Sequence, residues 1–229
     1  MSILAMCPTY RRPELFKRML ESFDRTRRSG AGLLAYCYED DPQLSEYMKT
    51  SVPDGCMIVV QPRMGLVQAL NKMATVDRPG FDYYQEVNDD HIYRTPDWDG
   101  ILSRAIAGKN NGMSLAWGKT DNLPSAVMFG GKLVRHFGYV FPPQYWHSCV
   151  DLWLQAIIQT ADISVHVPEV FVEHMHPCFG KAEKDANHMA VEADYQNGRK
   201  VYSDWLDNRI HGDITRLQLA ILESKAGVR

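Results

Sequence analysis

Asn88, Asp89, Asp90 and His91 set two carboxylates and an imidazole side by side where an apolar run ends. Crowding of that kind is costly unless a cation neutralises it, and carboxylate oxygen beside imidazole nitrogen suits Mn2+ or Mg2+ held against phosphates. An isolated Asp-Asp pair more often caps backbone N–H groups in a turn. Here the pair follows the strand-like run FDYYQEV directly, which tips the reading towards half of a metal site, with Asp89 or Asp90 beside His91. The other half is expected from the segment Glu173-His174-Met175-His176-Pro177, whose two imidazoles lie on one face if the chain there is extended. His176, further towards the loop, is preferred slightly over His174.

Three more strand-like runs end in polar groups. SILAMC leads into Pro8-Thr9-Tyr10-Arg11, GLLAYCY into Glu39-Asp40-Asp41, and CMIVV into a loop with Arg63 and Gly65. In open parallel sheets, ligands bind outside the carboxyl ends of the strands, so these four clusters face one crevice if the sheet is parallel. The elements between them support that arrangement. Leu15, Phe16, Met19, Leu20 and Phe23 form one helical stripe after Pro13, and Leu66, Ala69, Leu70 and Met73 form another. Strands alternating with amphipathic helices predict an α/β chain with a mainly parallel sheet. Further on, helices are expected at about 98–107 and 145–159, and strands near MSLAW, AVMFG and ISVHVPEVFVEH. The polar stretch from Lys181 onward reads as helices packed on the core or across the mouth of the site.

Composition bounds the rest. With 229 residues, 45% hydrophobic and 23% charged, the chain has the make-up of one globular α/β unit with a C-terminal extension. No run approaches the ~20 apolar residues of a membrane helix, so no membrane anchor and no signal peptide are expected. Five scattered cysteines form no close pair, which fits reduced thiols in a cytoplasm. A net charge of −3 lacks the basic field of a nucleic-acid binder, although Arg25, Arg27 and Arg28 form a local patch.

The order CPTYRRPELFKRMLESF, EDD, RMGLVQALNKM and NDDHIYRTPDWDGIL resembles the nucleotide-sugar half of glycosyltransferase family 2 and its GT-A relatives. That resemblance implies a GT-A, Rossmann-like fold with a mixed, mainly parallel sheet flanked by helices. It implies a nucleotide site formed by Pro8, Thr9, Tyr10, Arg11, Asp40, Arg63, Gly65, Asn71 and Asp89, and a metal site around Asp90 and His91 completed by His174 or His176. The family's Asp-x-Asp is replaced here by Asp89-x-His91 or Asn88-x-Asp90, a departure that some relatives make good with a downstream His. The stretch LPSAVMFGGKLVRHFGYVFPPQYWHSCVDLWLQA resembles the acceptor side of the same family, which implies Asp151 as catalytic base. Trp117, Trp146 and Trp153 are candidates for stacking on a sugar.

Residues 1–180 are therefore expected to form the GT-A domain, with a nucleotide-sugar half at 1–95 and an acceptor half at 96–180, and 181–229 a helical extension. The expected activity is metal-dependent, inverting transfer by direct displacement from a nucleoside diphosphate sugar, UDP favoured, to an acceptor hydroxyl. A narrower alternative places the acceptor on a hydroxymethylated base of phage DNA, a phage-type enzyme working in the host cytoplasm. From another class, a nucleotide-binding module without catalysis predicts donor binding and no product. A sugar nucleotidyltransferase ranks low, because CPTYRRPEL lacks the glycines of a phosphate loop.

Overall fold

Alternation along the first strand shows how the sheet is covered. In β1 (Ile3–Pro8), Ile3, Ala5 and Cys7 enter one buried cluster while Leu4 and Met6 enter another, so both faces of the strand are dry. The computed structural model describes residues 1–119 and 124–226. After β1 come α1 (Pro13–Thr26), β2 (Gly32–Tyr38), a short α2 (Leu44–Met48), β3 (Cys56–Gln61) and α3 (Leu66–Lys72), which runs on through a π-helical turn at Met73–Asp77. Then follow β4 (Tyr83–Glu86), β5 (His91–Tyr93), α4 (Trp98–Ala107), β6 (Leu115–Lys119), β7 (Met128–Gly130), α5 (Gly131–Phe137), α6 (Val150–Thr160), β8 (Ser164–His174), α7 (Ala186–Asn208) and α8 (Ile210–Lys225).

The described strands form one eight-stranded sheet in the order β3-β2-β1-β4-β7-β6-β8-β5. β1 through β4 are mutually parallel, while β7 joins β4 and β6 antiparallel and β5 joins β8 antiparallel. This is the mixed α/β fold with a helical C-terminal region that the sequence led us to expect. α1, α2 and α4 cover one face, where Phe23, Tyr93 and Trp98 pack ring to ring at 4.6–5.5 Å between centroids. α3, α5 and α6 cover the other, and α7 and α8 close over them through Trp205, Leu217 and Ile221.

The strand and helix boundaries differ from expectation in a few places, each with a local cause. The helix expected from Tyr145 begins only at Val150, because Cys149 takes a left-handed backbone (φ 66) and Ser148 N–H bonds to Asp194 Oδ2 at 3.1 Å. β5 was not expected. β5 is three residues long and exists through its pairing with β8, a partner that local periodicity does not reveal. Leu123, the first residue of the acceptor-side stretch, lies outside the described residues.

Candidate active site

Because β1 to β4 are parallel, their carboxyl ends bring the four polar clusters to one side of the sheet. Thr9, just past β1, donates its hydroxyl to Asp89 Oδ2 at 2.8 Å. Arg11 holds a positive φ of 57°, and its N–H bonds to Asp41 Oδ2 at 2.6 Å, which ties the β1 loop to the β2 loop. The Tyr10 ring lies under the Arg63 guanidinium at 4.1 Å, with Arg11 at 5.1 Å. Arg63 also sits 3.6 Å from Asp40, so these exposed groups form one patch of cation, ring and carboxylate.

Gly65 caps α3, and a Cβ there would lie 2.7 Å from the Trp146 ring, so only glycine fits. Asn71 spends its amide on the backbone of the neighbouring segment. Its Oδ1 accepts from Val140 and Phe141 N–H at 2.8 and 3.1 Å, and its Nδ2 donates to Phe141 O at 2.7 Å. Its place in the structure is a brace for residues 140–141.

The metal-ligand candidates meet through sheet register. β5 pairs with β8 so that His91 lies opposite His174, their rings 4.8 Å apart and edge to face. Asp90, one residue earlier, places Oδ1 3.2 Å from His174 Nε2, and its carbonyl accepts from Met175 N–H at 2.9 Å. One ligand atom from each of Asp90, His91 and His174 lies within 4.8 Å of the others. Two donors on opposite sides of one ion at about 2.1 Å each stand about 4.2 Å apart, so small side-chain rotations suffice for this trio to share a cation.

The charge states in the cluster follow from its burial and its close neighbours. Burial pushes His91 down to about 3, so its imidazole is neutral at ordinary pH, with Nδ1 accepting from Asn88 N–H at 3.2 Å. Burial opposes ionisation of Asp90, but the adjacent His174 overcomes it and holds the carboxyl below its usual range. Asp89 moves the other way, raised by burial and by the like charge of Asp90, with Arg12 and Thr9 opposing the shift. The structure thus brings His174 into the trio. His176 sits just outside it, its ring 5.1 Å from His174 and 4.7 Å from His188, with Nδ1 2.9 Å from Cys178 Sγ.

Arg12 is the residue that sequence reasoning missed. Its Nη1 bonds to Asp89 Oδ1 at 3.1 Å, while Nε and Nη2 grip Asp185 at 2.7 and 2.8 Å. Nη2 also lies 3.0 Å from His188 Nδ1. Asp185 is the N-cap of α7, accepting from His188 N–H at 3.0 Å, so one guanidinium fastens the C-terminal helix to the β1 and β4 loops. The first lysines of the C-terminal stretch face acids. Lys181 Nζ lies 3.4 Å from Glu173, and Lys184 pairs with Glu192.

Asp151 stands in the first turn of α6, half-buried, and accepts from Leu152 N–H at 3.0 Å. Burial raises its pKa. It lies two residues after Cys149 in the segment that also carries Trp146. Trp153 is core, and Trp117 stacks on His166 at 5.2 Å.

Glu86, buried at the end of β4, is pushed up to about 7, chiefly by burial. An unfolded Glu titrates near about 4.3. Below that pH neither state is ionised and Glu86 contributes nothing; as pH rises towards 7 only the unfolded chain ionises, so stability falls, and above 7 the cost is fully present. Glu86→Gln is expected to stabilise the fold at pH 8 by roughly 3 kcal/mol and to have little effect at pH 4, as read from urea melts at the two pH values.

These elements define a GT-A fold: a parallel first half, a strand-end acidic cluster and a mixed second half. Solved structures share it at low sequence identity. S. aureus TarS residues 1–349 in complex with UDP matches with a TM-score of 0.56 and 12% identity, over 76% of this chain and 60% of that one. The same TarS fragment with UDP-GlcNAc matches with a TM-score of 0.57 and 11% identity, over 83% and 61%. The mannosyltransferase PcManGT from Pyrobaculum calidifontis, in complex with GDP-Man and Mn2+, matches with a TM-score of 0.58 and 12% identity, over 99% and 75%. The chain thus spans less than two thirds of the nucleotide-bound TarS fragments it matches. No family model and no curated protein matches the sequence. Among the described residues no helix is long and apolar enough to cross a membrane.

Proposed function

We propose that this chain is a metal-dependent glycosyltransferase that takes its sugar from a nucleoside diphosphate sugar. The observation that carries the reading is the Asp90, His91 and His174 trio, set at the carboxyl end of a parallel sheet beside the Thr9 and Asp89 contact. The fold supports it, since the matched TarS fragment holds UDP or UDP-GlcNAc and the matched mannosyltransferase holds GDP-Man and Mn2+. Two imidazoles and one carboxylate fit Mn2+ better than Mg2+, which prefers an all-oxygen shell. A cation bound there supplies positive charge to the departing diphosphate.

The chain's own residues supply the rest. Pro8, Thr9, Tyr10, Arg11, Asp40, Arg63 and Gly65 shape the nucleotide pocket, with the Tyr10 and Arg63 stack as its floor and Asp89 at its metal end. Asp151 serves as the base. In the transfer, the acceptor oxygen forms its bond to the anomeric carbon as its proton passes to Asp151. The bond from that carbon to the diphosphate breaks, the nucleoside diphosphate leaves, and configuration inverts. Residues 1–95 carry the donor, 96–180 the acceptor, and 181–229 the helical cover, in a protein working in the cytoplasm.

UDP is the favoured nucleotide. A panel of UDP- and GDP-sugars, with and without Mn2+, scored by thermal shift and by release of nucleoside diphosphate, tests donor and metal together. Saturable, Mn2+-dependent stabilisation with slow release is expected; no response to any nucleotide sugar overturns the reading. Donor binding without turnover in the presence of any acceptor would favour the inactive module instead. Asp151→Asn is expected to lower transfer on the order of 10²-fold while leaving Mn2+-dependent donor hydrolysis measurable. Because burial raises the pKa of Asp151, the wild-type transfer rate should climb with pH as that carboxyl ionises.

A further inference from the structure

We infer that Trp146 is the platform on which the acceptor binds, and that the acceptor is an uncharged saccharide ring. The inference rests on the glycosyltransferase reading above and names the substrate class for its second site. Of the five tryptophans, Trp98, Trp153 and Trp205 are buried and Trp117 stacks on His166, whereas Trp146 is 50% exposed. One side of its indole is seated on Gly65, where even a methyl group would collide with the ring. Half of the side chain is nevertheless open to solvent. A rigid indole half open to solvent offers a ligand a large apolar face at little cost in conformational freedom.

The indole is also held in place. Trp146 O accepts from Val67 N–H at 3.3 Å, in the first turn of α3. Two residues on, the same segment is pinned to α7, with Ser148 N–H on Asp194 and Ser148 Oγ donating to Val191 O at 2.7 Å. The ring therefore spans the donor-side loop at Gly65 and the acceptor-side segment that leads to Asp151. An aromatic fixed from both sides loses little freedom on binding, and its electron-rich face suits the C–H face of a pyranose.

The surroundings choose a saccharide over a nucleic acid. Binding to a phosphodiester backbone needs exposed cations beside the stacking ring. The basic patch of Arg25, Arg27 and Arg28 lies at the far end of α1, about 20 Å along the helix from its start beside the crevice. Arg27 and Arg28 are moreover spent on backbone carbonyls of residues 25, 27, 31 and 54. Nearer the crevice, Arg12 is held in its grip on Asp89 and Asp185, Arg63 is paired with Asp40, and Arg11 faces the Tyr10 ring at 5.1 Å.

Saturation-transfer NMR on the full chain with UDP or GDP tests this, with Mg2+ in place of Mn2+ to avoid paramagnetic broadening. The probes are methyl β-D-glucopyranoside, methyl N-acetyl-β-D-glucosaminide, cellobiose and a single-stranded DNA oligonucleotide. Ring C–H signals from at least one saccharide are expected in wild type and in Trp146→Phe, and they should weaken about fivefold or more in Trp146→Ala. Equal signals in Trp146→Ala, no saccharide signal in wild type, or oligonucleotide binding that Trp146→Ala abolishes would overturn the inference. Nucleotide binding by the wild type is measured alongside by calorimetry. If neither UDP nor GDP binds, the donor reading itself falls; if one binds and the saccharides ignore Trp146, only the acceptor assignment does.

Discussion

Asp90→Ala should reduce Mn2+-dependent release of nucleoside diphosphate on the order of 10³-fold or more, with only a modest loss of thermal stability in the metal-free protein. The first half follows from the donor set. Asp90 is the one carboxylate in the trio, and without it two neutral imidazoles remain, a pair that brings no negative charge to a hard cation. The second half follows from the electrostatics. Asp90 is buried beside Asp89, whose ionisation it opposes, so removing it relieves a like-charge contact and helps offset the loss of the His174 interaction. Metal titration by calorimetry, donor turnover and a melting curve on the same preparation separate the two halves. Full turnover by the variant would take the metal out of the mechanism. A large drop in melting temperature with metal binding intact would recast Asp90 as a structural residue.

How much of this was legible depended on whether a residue's partner is near it in sequence. β1 to β4 announce themselves as apolar runs, and the polar residues that follow each one meet because parallel strands share a carboxyl end. That is why Thr9, Arg11, Asp40, Arg63 and Asp89 could be gathered from local pattern alone. The meeting of His91 with His174 could not be fixed in the same way. It depends on the register of a three-residue strand against β8, and a shift of one residue would turn the other face of the pair towards Asp90. The sequence therefore left His174 and His176 close to parity, while the cross-strand position draws His174 into the trio. Asn71 shows the opposite effect. Family resemblance points it at the nucleotide, whereas a segment 69 and 70 residues away occupies its amide.

Arg12 was the hardest residue to foresee, since its main partner lies 173 positions along the chain, and it carries the second large expectation. Arg12→Ala should destabilise the protein by about 3–5 kcal/mol, the usual cost of leaving a buried charge without its partner. The stranded group is Asp89, nearly inaccessible to solvent and already disfavoured as an anion by Asp90. The damage should also spread in a particular direction. Without the guanidinium, Asp185 loses the two bonds that hold the start of α7, and its remaining contacts, with His188 N–H and Nδ1, lie within α7 itself. The described tail from α7 onward is therefore expected to become the first site of limited proteolysis, ahead of any cut in the β1–β4 half. Arg12→Lys keeps the charge but lacks the fork that binds two carboxylates at once, so it should recover part of the stability and little of the protease resistance. If Arg12→Ala melts like wild type and its tail resists protease, then Trp205, Leu217 and Ile221 hold the C-terminal helices by themselves, and the Arg12 clamp is a contact without consequence for the fold.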